Sequence, residues 1–253
     1  MPTDRSRTRT TVEQRLEARR VAEAAARAGA RRRSRISTSA MCAVVAVLVA
    51  VIVVGVVQSR RTVVSAHAAP PAHTVDGAAV RIGDPDAPVT VTVYEDFLCP
   101  ACRSFEDTLG ATLTQLVDEG TAAVEYRPVA ILDHASTDAY STRALNAAAV
   151  VTDAAGSGAF LAFHELLFAH QPAEGGAGLG DDQLITLAEQ AGATGEQVEA
   201  GIRDQAYADW TRRVTDEASR DGLTGTPTVR VDGEELQTRT PQGLQDAVRA
   251  AAA

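Results

Sequence analysis

The sequence contains no lysine, few aromatic residues and only three cysteines. All 24 basic residues are arginine, which we attribute, together with the abundant alanine, to genome composition rather than to mechanism. Three cysteines leave no second pair, so a zinc site built from two CxxC pairs is excluded. Apolar residues still make up 45% of the 253 residues, which is enough for one substantial globular domain with appended segments.

Positive charge is scarce over most of the chain. Residues 62–253 carry 11 arginines against 29 acidic residues, whereas residues 1–61 carry 13 arginines against 4 acidic residues. Because nucleic-acid binding requires a basic surface, the acidic part of the chain argues against a nucleic-acid partner. The basic part is better explained by a membrane.

An uncharged run of 18 residues, rich in valine and alanine, extends from Ala40 to Val57. As a helix rising about 1.5 Å per residue it would span roughly 27 Å, close to the ~30 Å hydrocarbon core of a bilayer. We therefore predict one transmembrane helix over residues 39–58. Arginines are more numerous before this run than after it, which favours a cytoplasmic N-terminus. A cleaved signal peptide is the alternative, because Ala66-His67-Ala68 resembles a cleavage site, but the preceding basic region is unusually long for one.

The predicted span divides the chain into segments of different character. Residues 1–38 are expected to form an Arg-rich cytoplasmic segment, and residues 59–76 a short extended linker. Residues 77–253 are expected to form one domain outside the cytoplasm, so that the protein is a single-pass protein of the cell membrane.

Strand-like alternation and helical spacing of apolar residues follow one another within this domain. Both patterns are interrupted by turn residues and helix caps. They predict an α/β domain whose elements come in this order: an edge strand at 79–82, a strand at 89–94, a helix after Cys102, a strand at 122–132 interrupted by Pro128, a helical insertion at about 137–221, a hairpin at 228–238 and a helix from Thr240.

The motif Cys99-Pro100-Ala101-Cys102 carries the clearest chemistry, and its cysteines are the two outside the predicted span. Proline suits the first position of a helix, where no N–H donor is needed. Free N–H groups and the dipole at a helix N-terminus favour an anion, so the pKa of Cys99 should fall below the free value of about 8.5. Cys99 is then the attacking sulfur. Cys102, one turn deeper, resolves the mixed disulfide that forms with a substrate.

Two plainer interpretations of the cysteine pair remain open. A static disulfide closing so short a loop would add little stability on a loop-entropy argument. Half of a zinc site would need two further ligands, and His134, His164 and His170 show no convincing ligand spacing. We expect neither a metal nor another cofactor. His164 lies in an apolar helical run, and we interpret it as a hydrogen-bonded interface residue.

A second motif, Gly225-Thr226-Pro227-Thr228-Val229, places a proline directly before a strand. Proline is unusual there unless it occupies the first strand position or a cis turn. This motif, the segment from Glu95 to Cys102 and the order of elements resemble the thioredoxin superfamily, in its DsbA-like branch. The resemblance covers about residues 77–253. It implies a thioredoxin-like fold with a helical insertion, preceded here by the transmembrane helix.

The resemblance also implies roles for the second motif. Thr226-Pro227 is expected to face the disulfide, and the backbone of Thr226 to pair with an extended substrate chain. Pro227 would keep that edge open and keep metals away from the dithiol. Strongly oxidising relatives often carry histidine between the cysteines, so Ala101 implies a milder oxidant.

A further departure concerns the proton of Cys102. Many relatives have a buried acid on the strand six residues before the first cysteine, but Val93 occupies that position. Asp96 or Glu95 is therefore expected to accept the proton. The alternative is that both are exposed carboxylates at the end of the strand.

These patterns together predict a membrane-anchored, extracytoplasmic thiol-disulfide oxidoreductase. Its expected substrates are cysteine pairs of exported proteins, which it oxidises as they fold, because disulfides persist outside the cytoplasm. The resemblance suggests a membrane partner that re-oxidises the enzyme and passes electrons to quinone. A reductase or isomerase of the same fold remains open, although isomerases of this superfamily usually dimerise through an added domain. A redox-inactive peptide-binding module is the alternative from a different class.

Overall fold

The computed structural model describes residues 69–253. The predicted segments 1–38 and 39–58 and most of the linker lie outside the described residues. Six strands in the described part form one sheet in the order β1-β2-β4-β3-β5-β6. Strands β3 and β4 run parallel, and every other neighbouring pair is antiparallel. The strands are β1 (Thr74–Val75), β2 (Ala79–Ile82), β3 (Thr90–Glu95), β4 (Ala123–Pro128), β5 (Thr228–Val231) and β6 (Glu234–Glu235).

Helices connect these strands and cover the sheet. One short 3₁₀ turn, Asp133–Ala135, follows β4. The helices of the described residues are α1 (Pro100–Asp118), α2 (Tyr140–Ala169), α3 (Asp181–Gln190), α4 (Glu196–Arg203), α5 (Ala208–Arg220) and α6 (Pro241–Ala251). Helix α1 connects the parallel strands β3 and β4, as a βαβ crossover requires. Helices α2 to α5 lie between β4 and β5 in the chain. The fold is therefore the expected α/β one, thioredoxin-like with a helical insertion.

Strand β3 leads to the CPAC motif and lies inside the sheet. Its side chains alternate between buried and partly exposed positions, with Val91 and Val93 at 0% exposure, as the sequence pattern predicts. Strand β4 ends at Pro128, which lies opposite Glu95 of β3. The predicted interruption at Pro128 is therefore confirmed. The C-terminal ends of both strands lie on the side of the sheet where the active-site segment begins.

One strand assignment from the sequence is wrong. Strand β2 pairs with β1 on one side and with β4 on the other, so it is an inner strand. The edge strand is the two-residue β1, Thr74–Val75. A strand that short shows no alternation, which explains why it could not be identified from the sequence.

Helix α2 is the core helix of the insertion. It continues through residues 154–158, but Gly156 has non-helical torsion angles of φ 80° and ψ −174°. Glycine adopts such a conformation without a Cβ clash, and the helix is kinked there. By length and composition α2 could cross a membrane, but 61% of its most apolar window is buried inside the domain, as expected of a core helix.

The insertion contacts the start of the domain through Trp210 of α5. Trp210 is 2% exposed and packs with Leu145, Ala149 and Val214 in a small apolar cluster. Its indole N–H donates to the carbonyl oxygen of Gly77 at 2.7 Å. Trp210 is therefore a packing residue.

Candidate active site

Cys99 occupies the N-cap of α1, with Pro100 as the first helical residue. Its torsion angles are extended, with φ −72° and ψ 114°. The N–H groups of Cys102 and Arg103 donate to its carbonyl oxygen at 3.1 and 3.2 Å and begin the helix. Both cysteines are free thiols, Cys99 being 6% exposed and Cys102 0% exposed. The outer sulfur is thus Cys99, and Cys102 lies beneath it.

The Thr226-Pro227 turn lies against this sulfur. The peptide bond between the two residues is cis. The Cys99 thiol donates a hydrogen bond to the Thr226 carbonyl oxygen at 3.4 Å. Pro227 is buried, and Thr226 is partly exposed. The structure therefore brings together the two motifs that the sequence singled out, although 127 positions separate them.

Hydrogen bonding lowers the pKa of Cys99 to about 5. The Cys102 thiol contributes most by donating to the Cys99 thiolate, and burial opposes this effect. The Thr226 side chain and the N–H groups of Cys102 and Ala101 lower the pKa of Cys99 further. Burial raises the pKa of Cys102 far above its ordinary value, and its hydrogen bond to Cys99 and the charge of Glu95 act in the same direction. At neutral pH the pair is therefore one thiolate and one thiol.

Asp96 is fully buried and holds three segments together. Its carboxylate accepts hydrogen bonds from the N–H of Leu98 at 2.9 Å, the N–H of Leu132 at 2.9 Å and the Ser141 hydroxyl at 2.6 Å. Burial outweighs these bonds and raises the pKa of Asp96 to about 6. The carboxylate thus connects the loop before Cys99, the loop after β4 and the start of α2.

Glu95 is also fully buried, and its carboxylate pairs with Nε2 of His164. Burial disfavours the charged imidazolium, but the charge and hydrogen bond of Glu95, together with the charges of Glu106 and Glu165, outweigh this and raise the pKa of His164. The rings of Tyr126 and Phe168 lie 4.6 and 5.0 Å from the His164 ring. Because both acids are buried, the alternative of exposed strand-end carboxylates is wrong. His164 is hydrogen-bonded, as expected, inside the domain.

One residue near the site had no signal in the sequence. Gln171, just after α2, donates from its amide nitrogen to the carbonyl oxygens of Phe97 and Cys99, both at 3.0 Å. It is 72 positions from Cys99, and no local pattern connects them. Asp133 accepts from the N–H and hydroxyl of Thr142 at 2.9 and 2.5 Å, so it caps the first turns of α2 instead of facing the sulfurs.

Comparisons with known proteins agree with this geometry. Residues 75–250 match the protein family described as Thioredoxin. The reduced disulfide bond oxidoreductase DsbG from Mycobacterium tuberculosis is 38% identical, with a TM-score of 0.63 over 71% of this chain and 90% of that chain. Oxidised DsbA from the same species is also 38% identical, with a TM-score of 0.61 over 69% and 93% of the two chains.

Curated relatives are longer proteins. The Na⁺/H⁺ antiporter NhaA 3 of Salinispora tropica is 32% identical over 151 residues, which are 60% of this chain and 21% of that protein. This chain thus spans about a fifth of the length of the curated relatives it matches. The family match covers most of the present chain, and the solved structures share its fold over nearly their whole length. The chain belongs to the thioredoxin family, among the DsbA-type thiol-disulfide oxidoreductases.

Proposed function

We propose that this enzyme oxidises cysteine pairs of exported proteins by donating its Cys99–Cys102 disulfide. The observation that carries the proposal is the low pKa of Cys99, about 5, beside a buried Cys102 thiol. A thiolate that forms easily stabilises the reduced enzyme, which makes the disulfide a stronger oxidant. It is also a good leaving group when the mixed disulfide is resolved.

The proposed exchange runs in two steps. A substrate thiolate attacks Sγ of Cys99, the S–S bond to Cys102 breaks, and Cys102 leaves with the electron pair and takes up a proton. A second substrate thiolate then attacks the substrate sulfur of the mixed disulfide and releases Cys99 as a thiolate. The substrate loses two electrons and gains a disulfide, and the enzyme is left as the dithiol. A membrane partner that passes the electrons to quinone would restore its disulfide.

Buried carboxylates support the predicted path for the Cys102 proton. Asp96 and Glu95 are both 0% exposed; Glu95 is the last residue of the strand that leads to the cysteines, and Asp96 follows it. We propose that one of them exchanges the proton with Cys102, since water has little access to a fully buried thiol. The backbone of Thr226, next to Cys99, is proposed to pair with the extended substrate chain.

The membrane location is part of the same proposal. The apolar run from Ala40 to Val57 would hold the domain at the outer face of the membrane, where disulfides persist. Exported proteins with free thiols and a membrane-bound re-oxidant are the partners that such a location offers. The alternatives are a reductase or isomerase of the same fold and a peptide-binding module without redox activity.

The test combines a reduction potential with an oxidation assay. The Cys99/Cys102 couple is equilibrated with glutathione, and a reduced dithiol peptide is offered to the oxidised enzyme. We expect a potential nearer to about −120 mV than to about −270 mV, the values of strong oxidants and of thioredoxin. Cys99→Ser should abolish peptide oxidation. A potential near the thioredoxin value would instead favour a reductase, and full activity of Cys99→Ser would leave only a binding role.

A further inference from the structure

A second cluster of polar side chains lies beside the redox site and shares only Glu95 with the proposed proton path. It consists of Glu95 at the end of β3, Glu106 in α1 and His164 in α2. One donor atom from each residue lies within 4.8 Å of the donor atoms of the other two. The three residues come from three separate elements, so the fold itself brings them together.

Each residue of the cluster has one polar atom that lacks a hydrogen-bond partner among the described residues. Glu95 Oε2, Glu106 Oε1 and His164 Nδ1 are buried and have no hydrogen-bond partner there. Glu95 is 0% exposed and His164 1% exposed, so neither side chain lies at the protein surface. Buried polar groups without partners are rare, and each calls for an explanation such as an ion or a bound water.

The charges around the cluster favour a cation. A cavity of about 310 Å³ adjoins it, and the charged residues lining that cavity are Glu106, Asp107 and Glu165, besides His164. Arg103 approaches Asp107 at 3.9 Å on the outside, and no arginine lines the cavity. Buried carboxylates are normally paired or bound to a metal. Here two carboxylates share one imidazole, and a divalent ion would balance their charge.

We propose that Glu95, Glu106 and His164 bind one divalent first-row metal ion, with Zn²⁺ as the preferred occupant. One imidazole nitrogen and two carboxylate oxygens are a ligand set that zinc accepts, and three protein ligands leave a position for water. The adjoining cavity supplies room for that water and a path for the ion. Among ligands of this type, affinity for Zn²⁺ exceeds affinity for Mn²⁺ and Fe²⁺, which gives the order of preference.

The positions of the three ligands in the fold indicate what a bound ion would do. They connect strand β3, the active-site helix α1 and the insertion helix α2, so bound metal would stabilise the folded domain by mass action. The set contains no sulfur, which distinguishes it from a metal held by the dithiol. The proposal does not depend on the direction of disulfide exchange.

The experiment uses the full chain with Cys99 and Cys102 oxidised to the disulfide, Cys42 alkylated, and metals removed by a chelator. Zn²⁺ is titrated by calorimetry. Co²⁺ is added in parallel as a spectroscopic probe, because its visible bands report the ligand geometry and a thiolate ligand adds a strong charge-transfer band. We expect one ion per chain, no sulfur charge-transfer band, and a rise in the melting temperature with added Zn²⁺.

Matched variants separate the site from its surroundings. Glu106→Gln preserves the size of the side chain and should lower the affinity for Zn²⁺ at least about tenfold and remove the thermal shift. Glu165→Gln changes an exposed acid at the same cavity and should leave the affinity within about threefold. Circular dichroism of Glu106→Gln checks that the variant is folded. Absence of Zn²⁺ binding by the oxidised chain, unchanged affinity in Glu106→Gln, or a cobalt–sulfur band would each overturn the proposal.

Discussion

The thiol of Cys99 donates a hydrogen bond to the carbonyl oxygen of Thr226 at 3.4 Å. This bond exists only while Cys99 is protonated. When the sulfur becomes a thiolate or enters a mixed disulfide, it no longer donates, and the carbonyl is free to accept an N–H from an extended substrate chain. Protonation of the Cys99 sulfur and the availability of the proposed substrate-binding carbonyl are therefore coupled at this contact.

The first prediction concerns the pH dependence of Cys99. Because its pKa is lowered to about 5, its alkylation by iodoacetamide should be half-maximal near pH 5 and constant above about pH 7. Cys102 should remain unmodified over this range. Mass spectrometry of the alkylated peptides measures both. An alkylation rate that still rises steeply above pH 8 would contradict a low pKa for Cys99.

The same shift predicts how stability changes with pH. The folded-state pKa of Cys99 lies below that of the unfolded thiol, so its contribution is complete above the unfolded value and is lost as the pH falls through about 5. The reduced enzyme should therefore gain stability relative to the oxidised enzyme between pH 5 and about pH 8.5. Urea unfolding of the reduced and the oxidised enzyme at several pH values measures the difference between their free energies of unfolding. Groups that titrate alike in both forms do not contribute to this difference.

The second prediction concerns the side chain of Thr226. It lowers the pKa of Cys99 by hydrogen bonding to the thiolate. Thr226→Val removes the hydroxyl and should raise the pKa of Cys99, whereas Thr226→Ser keeps the hydroxyl and should preserve the low value. The ultraviolet absorbance of the thiolate, followed against pH, measures both variants. Equal pKa values in the two variants would show that the hydroxyl is not involved.

The third prediction tests Gln171 as a positioning residue. Its amide donates to the carbonyl oxygens of Phe97 and Cys99, which fixes the loop before α1. Gln171→Leu should lower the free energy of unfolding by about 1–3 kcal/mol, because two partly buried carbonyls lose their donor. Gln190→Leu, on an exposed position of α3, should change it by less than about 0.5 kcal/mol.

A purely structural role and a positioning role for Gln171 differ in their effect on the sulfur. Gln171→Glu keeps the shape of the side chain but replaces the donor with a carboxylate near Cys99. It should raise the pKa of Cys99, because a second negative charge disfavours the thiolate. Thiolate absorbance against pH measures this effect. An unchanged pKa of Cys99 in Gln171→Glu would limit Gln171 to a structural role.

The sequence was sufficient for the parts of the site that have local patterns. Cys99 and Cys102 share one helical turn, and Thr226-Pro227 precedes a strand, so each motif is visible within a few residues. Gln171 and Glu106 contribute through contacts that form only when the insertion folds against α1. Their roles depend on packing between distant elements, which one sequence does not display.

The elements of the fold also divide into those that a local sequence pattern predicts and those that depend on distant partners. The hairpin was predictable because Asp232 and Gly233 suit a two-residue turn, and both have positive φ angles, 47° and 90°. The final helix was predictable from Thr240, whose hydroxyl accepts from the N–H of Gly243 at 3.1 Å. The inner position of β2 was not predictable, because its partner β1 has only two residues.

The loop before α3 contains several glycines, and the structure holds it in place. The Arg143 guanidinium donates to the carbonyl oxygens of Ala177 at 2.7 Å and Leu179 at 2.6 Å. Between them, Gly178 has a positive φ of 76° and lies against Tyr140. A Cβ on Gly178 would lie 2.4 Å from the Tyr140 ring, so that side chain or the loop would have to move.

The fourth prediction follows from this contact. Gly178→Ala combines a positive φ with overpacking and should lower the free energy of unfolding by about 3 kcal/mol. Gly176→Ala is the matched control, because the nearest atoms to its Cβ would be 3.9 and 4.0 Å away, and it should change the value by less than about 1 kcal/mol. Urea unfolding measures both. Ser141, next to Tyr140, donates a hydrogen bond to Asp96 near the active site. Gly178→Ala should therefore also slow disulfide exchange. Equal behaviour of the two variants would show that the loop is not packed against the core.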